Sequence, residues 1–115
     1  MTYLCLAVFL FALSLMTPTG EATAVAPTPP TSKQLYRKHC AECHGLDGQA
    51  KTTKAKFNHA RDIADAKWQD DVTDERIFNS IINGRNIRGS MPAFGDKLSD
   101  VQVNSLVTFV RGLRK

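Results

Sequence analysis

Sulfur is scarce in this chain. Of its 115 residues three are cysteine and three methionine, and Met1, Cys5 and Met16 stand at or before position 16. The rest of the chain holds only Cys40, Cys43 and Met91. A disulfide between Cys40 and Cys43 would close a tiny loop and constrain the unfolded chain very little, so structural stapling is a poor use for the pair. Long apolar runs are lacking as well. The one at residues 4–16 (LCLAVFLFALSLM), broken only by Ser14, is too short to cross a bilayer comfortably. Positive charge is missing from the N-terminal part, since all 15 Lys and Arg come after residue 30. Nowhere do apolar and polar residues alternate convincingly with period two, which argues against a sheet.

The residues just after the apolar run give it a meaning. Ala22-Thr23-Ala24 and Ala24-Val25-Ala26 fit the A-x-A pattern of signal cleavage, and TPTG and PTPP would cut a helix here off from any core. Residues 1–24 are therefore read as a signal peptide, with an uncleaved membrane anchor as the alternative, and the protein as periplasmic or otherwise extracytoplasmic. Cys5 then leaves with the signal. Residues 25–31 read as a flexible Pro/Thr/Ala linker, and residues 32–115 as one small domain. The chain carries a net charge of +4. A moderately basic surface suits acidic protein partners or anionic membranes. Scattered charges in an extracytoplasmic compartment speak against nucleic acid.

Helical signals appear at three places. Thr31 or Ser32 can cap KQLYRKHC. Thr73, with the acidic Asp74 and Glu75 after it, opens TDERIFNSIING, whose apolar stripe is Ile77, Phe78, Ile81 and Ile82 and whose C-terminal cap is Gly84. Ser99-x-x-Gln102 forms a capping box ahead of Val103, Leu106, Val107 and Val110, with Gly112 near the end. A short helical piece is expected around residues 62–68. The domain is thus all-α with long connections, and segments 45–61 and 83–90 offer few large apolar side chains. Its own core is thin, and a large apolar cofactor would supply the missing interior.

Residues 37–48 (RKHCAECHGLDG) place a histidine directly after a C-x-x-C pair. A zinc site wants four converging ligands, usually with a second cysteine pair. Only His39 and His59 are spare, and adjacent Cys43 and His44 converge poorly on one small ion. A redox dithiol belongs after a strand in a βαβ unit, which this pattern lacks. Covalent haem attachment is what C-x-x-C-H signals specifically. Two thiols about one helical turn apart can add to the two vinyl groups of one porphyrin, and the next histidine lies under the ring and offers its imidazole to the iron. The opposite iron face then needs a second ligand or stays open. Met91 sits in RGSMPAFGDKLS, bracketed by Gly89 and Gly95 and stiffened by Pro92, a shaped loop able to hold a thioether against a metal. His59 is the competitor for that place.

With these residues assembled, the chain resembles the small monohaem cytochromes c of class I, the short bacterial and photosynthetic forms. The resemblance rests on C-A-E-C-H-G at 40–45, I-x-N-G at 81–84, M-P-A-F-G at 91–95 and the closing helix at 98–110. It implies a cytochrome c fold: three main helices and short helical segments wrapped around one covalently bound haem c per chain. It implies thioethers at Cys40 and Cys43, and His44 and Met91 as axial iron ligands. Tyr36, Leu106 and Phe109 would pack the first helix across the last, and Trp68 would lie near the haem propionates. Many relatives have a proline soon after C-H-G whose carbonyl accepts a hydrogen bond from the proximal imidazole. None occurs here between Pro30 and Pro92, so a carbonyl within 48–57 is expected to serve.

The function so implied is electron transfer, not catalysis: a soluble, monomeric one-electron carrier between redox partners in the periplasm. The alternatives are a haem-bearing subunit or module of a dehydrogenase or oxidase complex and, further off, a peroxidase-like haem enzyme. Partners would be membrane electron-transport complexes or soluble oxidoreductases, docking on a basic surface near the haem edge. The candidate cations are Lys51, Lys54, Lys56, Arg85, Arg88 and Lys97.

Overall fold

A computed structural model of the protein describes residues 26–115. The expected signal segment lies outside the described residues, and residues 26–30 are exposed and without regular structure. Among the described residues there are six helices and no strand, and no helix is long and apolar enough to cross a membrane.

Five of the six helices begin where a short polar side chain satisfies free N–H groups. Thr31 closes a full capping box with Gln34 and opens α1 (Ser32–His39). Cys40 breaks the helix for one residue, and α2 (Ala41–His44) completes the cysteine motif. Thr52 caps α3 (Thr53–Asn58), Asp65 caps α4 (Ala66–Asp71) and Thr73 caps α5 (Asp74–Asn83). Ser99 and Gln102 form the box that opens α6 (Asp100–Arg111).

Two of these elements differ from expectation. Residues 45–61, read as a connection, contain α3, a helix that buries only Ala55 and so shows no apolar stripe. It is held from outside instead, by the Thr52 hydroxyl donating to the carbonyls of Glu42 (2.8 Å) and Cys43 (3.0 Å). The helix expected at 62–68 begins later. Asp62 Oδ1 accepts from the amides of Ala64 and Asp65 and makes a turn of residues 62–65, so Asp65 becomes the cap.

α1 and α5 pack against α6, whose Val103 and Leu106 are fully buried. Tyr36 of α1 meets Phe109 of α6 with ring centroids 4.8 Å apart. Burial of each such side chain contributes about 1.5–3 kcal/mol. A polar latch closes the far side. The buried Gln69 amide donates to the carbonyls of Ile63 (2.7 Å) and Val110 (2.9 Å), while Arg111 reaches the carbonyls of Gln69 and Val72 and the carboxylate of Asp74, each at 2.6 Å. This fixes α4 to α6 and leaves the space between α1, α5 and the loops unfilled by side chains.

Candidate functional site

That space is a cavity of about 1080 Å³, at the upper end of ordinary ligand pockets for a domain this small. Cys40, Cys43, His44 and Met91 all line it. The walls are apolar, with Ile63, Val72, Ile77, Ile81, Phe94 and Leu106 among them.

The cysteine motif enters from one side. Tyr36, itself buried, donates its hydroxyl to the Gly45 carbonyl (2.8 Å), which ties the end of α2 back onto α1. His44 Nδ1 lies 3.0 Å from the Arg61 carbonyl. The acceptor is therefore Arg61 and not a residue of 48–57 as expected. Its carbonyl arrives because Gly48, at φ +77°, turns the chain so that its own carbonyl accepts from the Ile63 amide (2.8 Å). With Nδ1 committed, Nε2 is the imidazole nitrogen left for a metal. Burial lowers the His44 pKa, against the opposing pull of the Arg61 carbonyl, and so favours the neutral, metal-binding form. Burial, helped by the neighbouring Cys43, pushes the Cys40 thiol up to about 12. No disulfide joins the two cysteines.

Met91 enters from the opposite strap. After α5 the chain reverses at Gly84, whose φ of +69° and ψ of −179° belong to a region open essentially to glycine alone. Arg85 and Met91 then exchange backbone hydrogen bonds, 2.9 Å in each direction, as an isolated antiparallel bridge. The Phe94 and Gly95 amides donate to Ile81 and Ile82 at 2.9 and 3.1 Å. Met91 is thus pinned on both sides of its position and packs against the core. His59 also lines the cavity, but is exposed and sits in the left-handed region at the end of α3. Trp68 is partly buried on the same wall.

Of the six cations singled out in the sequence, Lys54, Arg85 and Arg88 line the cavity mouth, whereas Lys51, Lys56 and Lys97 do not. Lys54 is engaged by Glu42 at 2.7 Å. Arg61 and Arg76 also line it. No sequence signal marked them, because isolated arginines in loops and on exposed helix faces look alike. Asn58 is a further lining residue, its amide 3.6 Å from Cys43 Sγ.

The donor set fits haem c. Two thiols and an imidazole come from α2 and the Cys40 that precedes it, a thioether faces the same cavity, and the volume suits a large planar apolar group. A zinc cage finds no support: among the described residues no three His, Cys, Asp or Glu side chains come together to hold an ion.

Known proteins agree with the geometry. The family model for "Cytochrome C oxidase, cbb3-type, subunit III" matches residues 27–110. The cbb3-type cytochrome c oxidase subunit FixP of Rhizobium etli is 33% identical over 97 residues, which cover 84% of this chain and 30% of FixP. Subunit CcoP of Azospirillum brasilense is 30% identical over 81 residues, covering 70% and 27%. The chain thus spans under a third of the length of these relatives. Among solved structures, the KustC0563 c-type cytochrome superposes with a TM-score of 0.66 at 40% identity, over 75% of this chain and all of that one. The c-type cytochrome XoxG of Methylobacterium extorquens AM1 gives a TM-score of 0.56 at 25% identity, over 71% of this chain and 47% of its own. Fold, cavity and relatives converge: the chain belongs to the cbb3-type cytochrome c oxidase subunit III family and is an all-α monohaem cytochrome c that carries its haem covalently.

Proposed function

We propose that this chain is a one-electron relay serving as the haem module of an oxidase complex on the extracytoplasmic side of a membrane. The observation that carries the relay is the convergence of Cys40, Cys43, His44 and Met91 on one apolar cavity. The oxidase setting draws its support from the family match and from relatives that are subunits FixP and CcoP, and is preferred on that ground to the free periplasmic shuttle. The apolar run at residues 4–16 supports export.

Haem, once bound, supplies a ferrous/ferric couple. The residues do the rest. Cys40 and Cys43 would hold the haem through thioethers, each S–H adding across one vinyl group with sulfur on one carbon, hydrogen on the other and no leaving group. His44 would offer Nε2 to the iron, its ring steered by the Arg61 carbonyl. Met91 would offer a neutral soft thioether, which favours the ferrous state. Held by both residues, the iron would keep no position for a substrate, which suits transfer rather than catalysis. The walls of Ile63, Ile77, Ile81 and Phe94 exclude water and disfavour extra charge, raising the potential further. Cations at the mouth would steer an acidic partner.

Two measurements test this. Ferric protein should show the weak near-infrared methionine-to-iron band, and Met91→Ala should abolish it while the haem remains covalently attached; a band surviving in that variant excludes Met91. In detergent-solubilised membranes the chain should co-fractionate with oxidase activity. Recovery of the chain entirely in the soluble fraction, apart from any oxidase, overturns the module reading in favour of the shuttle.

A further inference from the structure

Asn58 touches both halves of the site. It ends α3, lines the cavity, and points its side-chain amide at Cys43 Sγ, 3.6 Å away. Its backbone carbonyl accepts from the Ser90 amide (3.2 Å), the residue before Met91. Gly89 lies so close to that carbonyl that any Cβ there would collide with it, so only glycine lets the strap seat on the helix end. At its other end α3 is fastened to the cysteine motif through Thr52 and the Glu42 and Cys43 carbonyls. A helix of six residues therefore runs from the attachment side to the strap that bears Met91.

We propose that Asn58 is a positioning residue that sets how firmly Met91 is held against the iron, by locking the strap to the sulfur of Cys43. The inference rests on the reading of Met91 as a ligand. Attachment of Cys43 removes its hydrogen but leaves the sulfur lone pairs, so the sulfur remains a weak acceptor and the amide remains its donor. Loss of that donor frees the end of α3, and the strap moves with it because the Asn58 carbonyl and Ser90 amide are paired. The iron–thioether bond is then made less often, the distal side opens more often, and ferric iron is less disfavoured.

The test compares intact haem-loaded protein with Asn58→Leu, which keeps the bulk and the backbone but removes the donor, and with Asn58→Gln, which restores an amide on a longer stem. Ser99→Ala serves as a stability control, since it removes the cap of α6 and touches none of the Asn58 hydrogen bonds. One net hydrogen bond corresponds to about a three- to tenfold change in a site equilibrium. Cyanide should bind Asn58→Leu about that much faster than wild type, with a lowered midpoint potential and partial recovery in Asn58→Gln. Ser99→Ala should lose thermal stability and leave cyanide rate and potential unmoved. Equal rates and potentials in Asn58→Leu and Ser99→Ala overturn the proposal. Should wild type lack the methionine-to-iron band, the ligand reading fails by itself, and amide exchange decides the lock: Ser90 protection that is unchanged in Asn58→Leu overturns it, while faster exchange supports it.

Discussion

At the scale of single residues, the sequence is a good guide to chemistry and a poor guide to what positions it. Cys40, Cys43 and His44 announce themselves by spacing, and Met91 by being the sole methionine of the domain between two glycines. Arg61 does not, because its backbone carbonyl does the work and any residue has one. Gln69 is equally silent. It is buried, and its partners Val110 and Arg111 lie 41 and 42 residues away. The burial of His44 has a consequence in pH. Its folded pKa is lowered, so the unfolded chain binds the extra proton, and stability present above about pH 6.5 is lost as pH falls below it. The slope is at most about 1.4 kcal/mol per pH unit for one proton. Urea midpoints of the haem-free protein should be level from about pH 8 to 6.5 and decline below, because unfolding lets the buried imidazole take up a proton. Midpoints that rise on acidification would refute this account of His44.

At the scale of elements, helices with an apolar stripe were legible from caps and periodicity. Those of α1, α5 and α6 begin at Thr31, Thr73 and Ser99, at positions read from the sequence. α3 was not, since it carries almost no buried surface of its own and persists through hydrogen bonds to α2. A short polar helix can thus be dictated by what it connects. The strap of 84–95 shows the converse, a segment without helix whose shape is legible from glycine. A Cβ on Gly84 would stand 2.5 Å from the Met91 carbonyl oxygen and 2.8 Å from the Ala93 nitrogen, at a backbone conformation that other residues avoid. Gly84→Ala should therefore cost about 1–3 kcal/mol of stability and weaken the methionine-to-iron band before the protein unfolds. Gly95→Ala should do less: its Cβ would meet the Ile82 side chain at 3.1 Å, and its φ is not positive. Thermal melts followed at both the near-infrared and a far-ultraviolet signal separate strap release from global unfolding. Coincident transitions in Gly84→Ala would show that the strap has no independent role in holding the thioether.

At the scale of the whole molecule, the charge of +4 is less informative than its placement. The mouth of the cavity holds Lys54, Arg61, Arg76, Arg85 and Arg88, but also Glu42, Asp62 and Asp71. Lys54 is already paired with Glu42 at 2.7 Å, so it contributes little field beyond its own neighbour. Arg88 is exposed on the strap beside the similarly exposed Ile87, which also lines the mouth. A partner meeting this edge would see a modest positive field around an apolar patch, which speeds encounter without holding the complex. Small oxidants of opposite charge read that field directly. Oxidation of the ferrous protein by anionic ferricyanide should slow as ionic strength rises from about 10 mM to 500 mM, since the screening length shrinks from about 30 Å toward a few ångströms. Oxidation by a cationic cobalt phenanthroline complex should quicken over the same range. Arg88→Glu should flatten both dependences, whereas replacing the Lys54–Glu42 pair together, with Lys54→Met and Glu42→Gln, should change them little, because the local charge is the same before and after. If salt affects neither oxidant, or the Lys54–Glu42 pair matters more than Arg88, electrons leave by another face, and the strap that holds Met91 is not also the surface that meets the partner.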